Sequence, residues 1–359
     1  MLLTAEDYRR AARERVGADV WDFVEGGGGA EHTLAANRRA FEEVTFRPRV
    51  LVDVSACDTG TTLFGQALRS PIGIAPTAYH RLVHPEGEVA TAVGAGTAGA
   101  LYVVSMFASR TLTDIAATAN SPLWMQLYWF THRDMVADVV TRAASVGCTA
   151  LVLTVDAPRI GKRLRDLRNG FAVDPAVRAE NLDEDLLAAV HEQHAGRSAI
   201  ATSAELTFDQ TITWADLPWL RSLTGLPLLL KGVLTAEDAR RAADHGVDGI
   251  VVSNHGGRQL DGVPASLVAL VEVVGAVGGA MPVLVDGGVR TGTDVFAALA
   301  LGASAVLIGR PALWALAAGG AAGVGDLLGT LAGELEHTMA LAGRPTVADI
   351  DSSAVSHRW

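Results

Sequence analysis

The feature that most constrains the fold of this 359-residue chain is a unit that repeats eight times: a short apolar run, a turn and then, in most cases, an amphipathic helical pattern. Each run is apolar along its length, which is typical of parallel strands buried on both faces. Helical patterns cover 86–99, 132–147 and 235–246. The runs are PIGIAPTA (71–78), LYVVSM (101–106), LWMQLYW (123–129), ALVLTVDA (150–157), PLLLKGV (227–233), GIVVSNH (249–255), PVLVDGGV (282–289) and AVLIGRP (305–311). The repeat predicts an α/β fold with a parallel sheet.

The number of units favours a closed (β/α)₈ TIM barrel of roughly 250 residues. A doubly wound sheet is the alternative, but no strand is followed by the glycine fingerprint of a dinucleotide site. Thr235 with Asp238 predicts the start of one helix, and Gly246 its end.

We predict one domain, 1–359, with a barrel at 71–345. A cap of helices and a short hairpin at 1–70 is expected to cover one end, and an insertion at 158–226, after the fourth strand, to form a lid.

Composition narrows the class of partner. The net charge of -11, from 29 basic and 40 acidic residues, argues against nucleic acid or an anionic membrane. Cys57 and Cys148 lack CxxC spacing, so we expect neither a disulfide framework nor structural zinc. The charged N-terminus lacks a signal-peptide core, and the longest apolar stretch, Val295–Ile308, is too short to span a bilayer. The polar stretch at 180–198 also argues against a membrane anchor. We therefore expect a cytoplasmic protein with no metal and no membrane partner.

Polar side chains follow all eight predicted strands. The carboxyl ends of barrel strands form the active site of TIM-barrel enzymes. A barrel that only packs has no need of polar residues at every strand end, so this pattern predicts an active site. The residues are Thr77, Ser105, Gln126, Tyr128, Thr154, Asp156, Lys231, Ser253, Asn254, His255, Asp286, Arg290 and Arg310.

The segment DGGVRTGTDVFAALALGASAVLIGRP (286–311) predicts a phosphate site. Gly287 and Gly288 let backbone N–H groups approach an anion, while Arg290 and Arg310 supply charged donors. A glycine pair alone is explained equally well by tight turns. Arginines on both loops favour phosphate binding.

The segment SNHGGRQLDG (253–262) contains the predicted catalytic base, His255. Arg258 lies three residues further on and suits a carboxylate. Asp156, at the end of the fourth strand, is placed to orient the imidazole and to stabilise its protonated form. Lys231 is costly in a buried strand unless it faces a polar ligand, and it suits negative charge on a cofactor ring.

These motifs resemble the FMN-dependent 2-hydroxy-acid oxidases and dehydrogenases, a family that includes glycolate oxidase, lactate oxidase and mandelate dehydrogenase. The resemblance covers nearly the whole chain. It rests on the blocks LAANRRAFEEVTFRPRVLVDVS, IAPTA with the following HRLVHPEGE, QLYW, LTVDAPRIGKRLRD, LLKGV, SNHGGRQLDG and DGGVRTGTDV.

The resemblance implies FMN as cofactor and assigns most of the strand-end residues to it. Lys231 would stabilise the reduced ring, with Ser253 nearby. Tyr128, Arg163 and Arg258 would bind the substrate carboxylate and hydroxyl, and His255 with Asp156 would remove a proton. The implied contacts to flavin ring, ribityl chain and phosphate are Pro76, Thr77, Ala78, Ser105, Gln126, Tyr128, Thr154, Lys231, Ser253, Asp286, Gly287, Gly288, Val289, Arg290, Gly309 and Arg310.

Several positions depart from the common family pattern. Phe23, in VWDFVEGG, stands where many members have a carboxylate-binding Tyr, and Phe107 replaces a common Trp. With Tyr79 and Trp129, these residues make the chain most similar to the actinobacterial 4-hydroxymandelate oxidases of hydroxyphenylglycine and antibiotic biosynthesis. That resemblance implies oxidation of 4-hydroxymandelate or mandelate, giving 4-hydroxybenzoylformate from the former, with O₂ reduced to H₂O₂ by a homo-oligomer, often a tetramer. Phe23, Phe107 and Trp129 are expected to contact the aromatic ring.

Three alternatives remain at this stage. A small aliphatic 2-hydroxy acid, lactate or glycolate, is the rival substrate for an oxidase or dehydrogenase. IMP dehydrogenase has a similar phosphate loop, but it needs a nucleophilic Cys that neither Cys57 nor Cys148 supplies. A flavin-storage protein, the non-enzymatic alternative, would explain the phosphate loops but would give no function to His255, Arg258 and Arg163. The sequence does not choose between hydride transfer and a carbanion route.

Overall fold

The computed structural model of the protein describes residues 2–182, 188–191 and 198–359 and contains the expected closed barrel of parallel strands. Each strand pairs with the next along the chain, and the eighth pairs with the first, Val306 lying opposite Ile72. All eight predicted runs contain a strand, and the doubly wound alternative is wrong because an open sheet would leave two edges unpaired. The strands are β1 (Ile72–Ile74), β2 (Leu101–Val104), β3 (Leu123–Leu127), β4 (Ala150–Thr154), β5 (Leu228–Val233), β6 (Gly249–Val252), β7 (Val283–Asp286) and β8 (Ala305–Ile308).

Helices follow the strands as the repeat predicts. The Thr235 hydroxyl accepts a hydrogen bond from the backbone N–H of Asp238, and Gly246 takes a φ of 68° after the helix, which confirms both predicted helix ends. The helices outside the insertion are α1 (Ala5–Arg13), α2 (Ala18–Glu25), α3 (His32–Glu42), α4 (Glu88–Ala98), α5 (Leu112–Thr118), α6 (Arg133–Ser145), α10 (Ala236–Asp244), α11 (Ser266–Val277), α12 (Gly292–Ala300) and α13 (Arg310–Ala342).

The N-terminal segment covers both ends of the barrel, not one end as expected. Its hairpin, Thr61–Leu63 with Gln66–Leu68, lies at the amino ends of the strands, where the ring of Phe64 packs 5.7 Å from that of Trp124. By contrast, α2 lies at the opposite end, because its Phe23 faces the cleft at the strand carboxyl ends. The strand Val44–Phe46 pairs with the C-terminal strand Val355–His357 and fixes the segment to the barrel.

The insertion after β4 forms α7 (Leu164–Asn169), a short 3-10 turn (Ala188–His191), α8 (Ala199–Thr207), a second such turn (Trp214–Asp216) and α9 (Leu217–Ser222). Much of the polar stretch at 180–198 lies outside the described residues. The described part of the insertion supplies side chains of α8 to the cleft.

The last helix, α13, is the one described helix long and apolar enough to cross a membrane. Its most apolar window is 61% buried within the protein, and the backbone leaves helical geometry at Gly319 and Gly320. Packing against α1, α4 and α12 accounts for its apolar composition.

Candidate active site

A deep cleft of about 1260 Å³, including its open mouth, lies at the carboxyl ends of the barrel strands. Most residues predicted to bind the cofactor line it: Pro76, Thr77, Ala78, Ser105, Tyr128, Lys231, Asp286, Gly287, Gly288, Val289, Arg290, Gly309 and Arg310. The predicted substrate residues Phe23, Tyr128, Arg163 and Arg258 line it as well, together with His255.

Three predicted cofactor residues, Gln126, Thr154 and Ser253, are buried and do not line the cleft. Gln126 accepts a hydrogen bond from the Ser105 hydroxyl at 3.3 Å and donates to the Thr154 hydroxyl at 3.0 Å. Ser253 accepts hydrogen bonds from Lys231 and from the backbone N–H of His255. These side chains therefore hold residues of the cleft surface in place.

His255 and Asp156 form a hydrogen-bonded pair, although 99 positions separate them in the sequence. Nδ1 of His255 lies 2.9 Å from Oδ1 of Asp156, which leaves Nε2 for a substrate. His255 has a φ of 59°, a strained conformation for a non-glycine residue that clusters at functional sites. Burial is the largest influence on the His255 imidazole, and its pKa falls below the ordinary value despite the attraction of Asp156. The ring is therefore neutral and able to accept a proton at neutral pH.

Asp156 stays ionised for a related reason. Burial raises the pKa of its carboxyl, but the electrostatic attraction and hydrogen bond of the His255 ring, together with the charge of Lys231, bring that pKa below the usual value. Oδ2 of Asp156 is buried and has no hydrogen-bond partner among the described residues. An ionised Asp156 can stabilise a protonated His255 after proton transfer.

Lys231 is a buried cation with one direct carboxylate partner. Its Nζ lies 3.0 Å from Oδ2 of Asp286 and donates to the Ser253 hydroxyl at 2.8 Å. Burial lowers the pKa of Lys231, but Asp286 and Asp156 outweigh it and bring that pKa above the ordinary value. Lys231 is therefore positively charged in the cleft wall, as its predicted role requires.

The loops after β7 and β8 form a cationic end of the cleft. Gly287 and Gly288 have φ values of 92° and 95°, and a Cβ on Gly288 would lie 2.4 Å from the backbone oxygen of Asn37. Burial lowers the pKa of Arg290 to about 9, assisted by repulsion from Arg310 and Arg38. Buried cations that repel one another favour binding of an anion.

The Arg310 guanidinium is only partly available to that anion. Three of its donors bind the backbone oxygens of Val24, Gly256 and Gly26 at 2.9–3.0 Å. Arg has five N–H donors, so two remain for a ligand. The same contacts attach the end of α2 to the β8 loop.

The residues present fit FMN on two observations. The cationic end matches one phosphate group, and Oδ1 of Asp286 is a buried acceptor without a hydrogen-bond partner in the described chain. A ribityl hydroxyl would satisfy such an acceptor. Arg290, Arg310 and the backbone of Gly287–Gly288 would hold the phosphate, and Lys231 the ring.

Arg163 and Arg258 lie over the ring of Phe23, with their guanidinium carbons 5.8 and 5.2 Å from its centroid. Nη1 of Arg258 donates to the backbone oxygens of Phe23 and Gly26, so Nε and Nη2 remain for a substrate. Burial lowers the pKa of both guanidinium groups, and Arg163 further lowers that of Arg258. Oδ2 of Asp166, 3.8 Å from Nη1 of Arg163, offsets part of this positive charge, and the charge that remains favours a carboxylate.

Aromatic side chains form one wall of the cleft, but Trp129 is not among them. Phe107 lines the cleft 5.5 Å from the ring of Tyr128, which stacks on Phe208 at 4.9 Å. The expectation for Trp129 was wrong, because this residue follows β3 and does not line the cleft, whereas Tyr128 does. Trp129 packs instead on Trp219, at 5.2 Å.

The sequence analysis predicted the insertion as a lid and named its Arg163, but it missed the side chains that the insertion adds to this wall. The lining residues it supplies are Ile160, Val190, Ile200, Ser203, Ala204 and Phe208. None lies at a strand end, so the rule that located the other site residues did not apply. The amphipathic spacing of Ile200, Ser203 and Ala204 on one face of α8 was the available signal.

The chain was compared with protein families, with characterised proteins and with solved structures. A family model described as FMN-dependent dehydrogenase matches residues 12–357. The 4-hydroxymandelate oxidase of Amycolatopsis orientalis is 48% identical, covering 95% of this chain and 94% of that protein. Glycolate oxidase 3 of Arabidopsis thaliana is 44% identical, covering 98% and 95%. The crystal structure of a mandelate oxidase with (S)-4-hydroxymandelic acid has a TM-score of 0.95 at 46% identity and covers 99% of both chains.

Proposed function

Because this chain belongs to the FMN-dependent dehydrogenase family and is an FMN-dependent 2-hydroxy-acid oxidase, we propose that its substrate is an aromatic 2-hydroxy acid, 4-hydroxymandelate or mandelate. The resemblance to this family inferred from the sequence is confirmed, and FMN is its cofactor. The proposed reaction converts 4-hydroxymandelate to 4-hydroxybenzoylformate while O₂ is reduced to H₂O₂. The observation that carries the substrate proposal is that an aromatic wall and an arginine pair line the same cleft.

Bound FMN supplies the two-electron redox chemistry between the hydroxy acid and O₂. The chain's own residues orient the substrate. Arg163 and Arg258 are placed to hold its carboxylate, which fixes the α-carbon relative to the rest of the cleft. Tyr128 lines the same cleft, and burial raises its pKa, so its hydroxyl is a neutral hydrogen-bond donor.

His255 takes the substrate proton on Nε2, since Asp156 occupies Nδ1. Asp156 holds the ring orientation and stabilises the imidazolium that results. Lys231 lies on β5, between the strands that carry Asp156 and His255, and its positive charge favours negative charge developing in the cleft. The charge states of His255, Asp156 and Lys231 in these steps follow from their burial and their charged neighbours.

Phe23 supports an aromatic substrate. A Tyr at this position would add a hydroxyl for the substrate carboxylate, and hydrogen bonds to charged groups contribute about 1.5–3 kcal/mol. A glycolate-sized acid has little else with which to bind. An aromatic acid can bury its ring against Phe107, Phe208 and Ile200, at about 25 cal/mol per Å² of apolar area.

Ser203 supports a substrate whose aromatic ring carries a hydroxyl group, which favours 4-hydroxymandelate over mandelate. It is the uncharged polar side chain that α8 presents to the cleft, between Ile200 and Ala204, and it is 4% exposed. A polar hydroxyl in an apolar wall favours a substrate with a hydroxyl to match it.

The test is a comparison of kcat/KM for mandelate, 4-hydroxymandelate, lactate and glycolate. We expect both aromatic acids to exceed both aliphatic acids by well over tenfold. Phe23→Tyr should narrow that gap, while Phe46→Tyr, a matched change at a ring outside the cleft, should leave it unchanged. Ser203→Ala should lower the 4-hydroxymandelate to mandelate ratio by about 2- to 10-fold, the value of one neutral hydrogen bond.

The rival substrate is a small aliphatic acid, as in glycolate oxidase. If glycolate or lactate gives the highest kcat/KM, the aromatic proposal is wrong and the oxidase assignment stands. If Phe23→Tyr leaves the preference unchanged, Phe23 serves only packing, since its ring also stacks on Phe171 at 4.5 Å.

A further inference from the structure

His80 is a fully buried histidine next to the cleft that the catalytic steps above do not use. It begins the 3-10 turn His80–Leu82, three residues after Thr77, which lines the cleft after β1. Tyr79 between them has a φ of 56°, a conformation that bulky residues rarely adopt. This backbone turns the His80 side chain back toward Thr77.

Both nitrogens of the His80 ring contact threonine hydroxyls. Nε2 lies 2.5 Å from Oγ1 of Thr77, and Nδ1 lies 2.8 Å from Oγ1 of Thr91. Burial lowers the pKa of His80 despite the nearby charge of Glu88, so the ring is neutral. A neutral imidazole donates through one nitrogen and accepts through the other, and a hydroxyl does either. Both contacts are therefore satisfied without a buried charge on the ring.

Glu88 holds His80 in place from the other side. Its Oε1 accepts hydrogen bonds from the backbone N–H groups of His80, at 2.9 Å, and of Ser109, at 2.8 Å. Glu88 is fully buried on α4, and Ser109 belongs to the loop after β2. The position of His80 is thus set by three neighbouring elements of the barrel.

The hydrogen bond to His80 leaves the Thr77 side chain with one orientation. A Cβ added at Gly309 would lie 3.7 Å from the Thr77 methyl carbon, so the methyl faces the β8 loop while the hydroxyl faces His80. Threonine has two heavy atoms on Cβ, and fixing one of them fixes the other. Without the imidazole, the hydroxyl and methyl groups would be free to exchange places at the cofactor end of the cleft.

We propose that His80 is a positioning residue for the cofactor, which acts by holding the Thr77 hydroxyl in the orientation that binds FMN. The role is independent of which hydroxy acid the enzyme oxidises. Failure of the substrate proposal therefore leaves this one intact.

The first test is the dissociation constant of FMN from the reconstituted apoprotein, measured by flavin fluorescence. His80→Leu should raise that constant about 3- to 10-fold, as expected for loss of one oriented neutral hydrogen bond. His80→Gln, whose amide can bond the Thr77 hydroxyl, should recover most of the affinity. An unchanged constant in His80→Leu would overturn the proposal.

A double-mutant cycle separates positioning from general structural damage. In a Thr77→Val background there is no hydroxyl to hold, so His80→Leu should cost less than twofold in FMN affinity. If His80→Leu costs as much there as in the native background, His80 acts on the fold in general and the proposal is wrong. Should His80→Leu not fold, the cycle is run with His80→Asn, which is polar but shorter.

Discussion

The floor and the mouth of the barrel are built on the same strands but differ in chemistry. On β5, Leu229 packs in the floor and Lys231, two residues on, lines the mouth; on β7, Leu284 and Asp286 have the same relation. Residues two apart on a strand share a face and lie about 6.6 Å apart. The barrel interior thus changes from apolar packing to buried charge within two residues.

This difference assigns stability to one end and chemistry to the other. The floor is a closed cluster around Trp124, which the hairpin ring of Phe64 covers. The mouth keeps Lys231 and His255 in surroundings that shift their pKa values, because it must hold ligands that carry charge. Changes at the two ends should therefore affect different measurements.

The largest effect is expected at the mouth. His255→Ala should retain FMN and fold normally but lose turnover by about 10²–10⁴-fold, since it removes the general base. Stopped-flow reduction of the flavin by the hydroxy acid is the measurement. His245→Ala, which changes an exposed histidine on α10's end, is the control and should react normally. Near-normal flavin reduction in His255→Ala would show that another group takes the proton.

Lys231→Met tests whether the ion pair between Lys231 and Asp286 stabilises the mouth of the barrel. The substitution leaves Asp286 buried without its cation, and breaking a buried pair costs about 3–5 kcal/mol. The free energy of unfolding of the apoprotein should fall by that amount, as measured by chemical denaturation. Lys162, the only other lysine in the chain, is exposed, so Lys162→Met is the control and should leave the free energy of unfolding unchanged. Equal stability of both variants would contradict the ion-pair account.

Phe64→Ala tests the floor. Removing a ring that packs on Trp124 should destabilise the fold by about 2 kcal/mol, somewhat less than a fully buried Phe because Phe64 is half-buried. The kcat and KM of the folded variant should match those of the native enzyme. A changed KM would mean that the two ends are coupled, and it would contradict the assignment of stability to the floor and chemistry to the mouth.

The smallest expected effect is a shift in a pH profile. Burial depresses the pKa of His255, so the base stays neutral and active below the pH at which an ordinary histidine becomes protonated. The value of kcat/KM should therefore fall on the acid side with a midpoint below 6.5, the ordinary value. Asp156→Asn removes the attraction that raises this pKa and should move the midpoint lower still. A midpoint above 7 in the native enzyme would contradict this assignment.

The sequence by itself determined the barrel and the location of its active site. Eight apolar runs with polar ends are local patterns, and parallel strands bring such ends together whatever the loops do. His255, Lys231 and the Gly287–Gly288 pair were found because they lie at those ends. The phosphate site followed for the same reason.

The sequence analysis predicted the pairing of Asp156 with His255, but tertiary structure decided its geometry and most other contacts of the cleft. The 2.9 Å contact of His255 with Asp156 depends on two strands that are not neighbours in the barrel. The wall from α8, with Phe208 against Tyr128, comes from an insertion whose path no strand rule fixes. Trp129 packs on Trp219 of α9 and does not line the cleft. Local periodicity sets the direction of a side chain within its own element, whereas its partners depend on how distant elements pack.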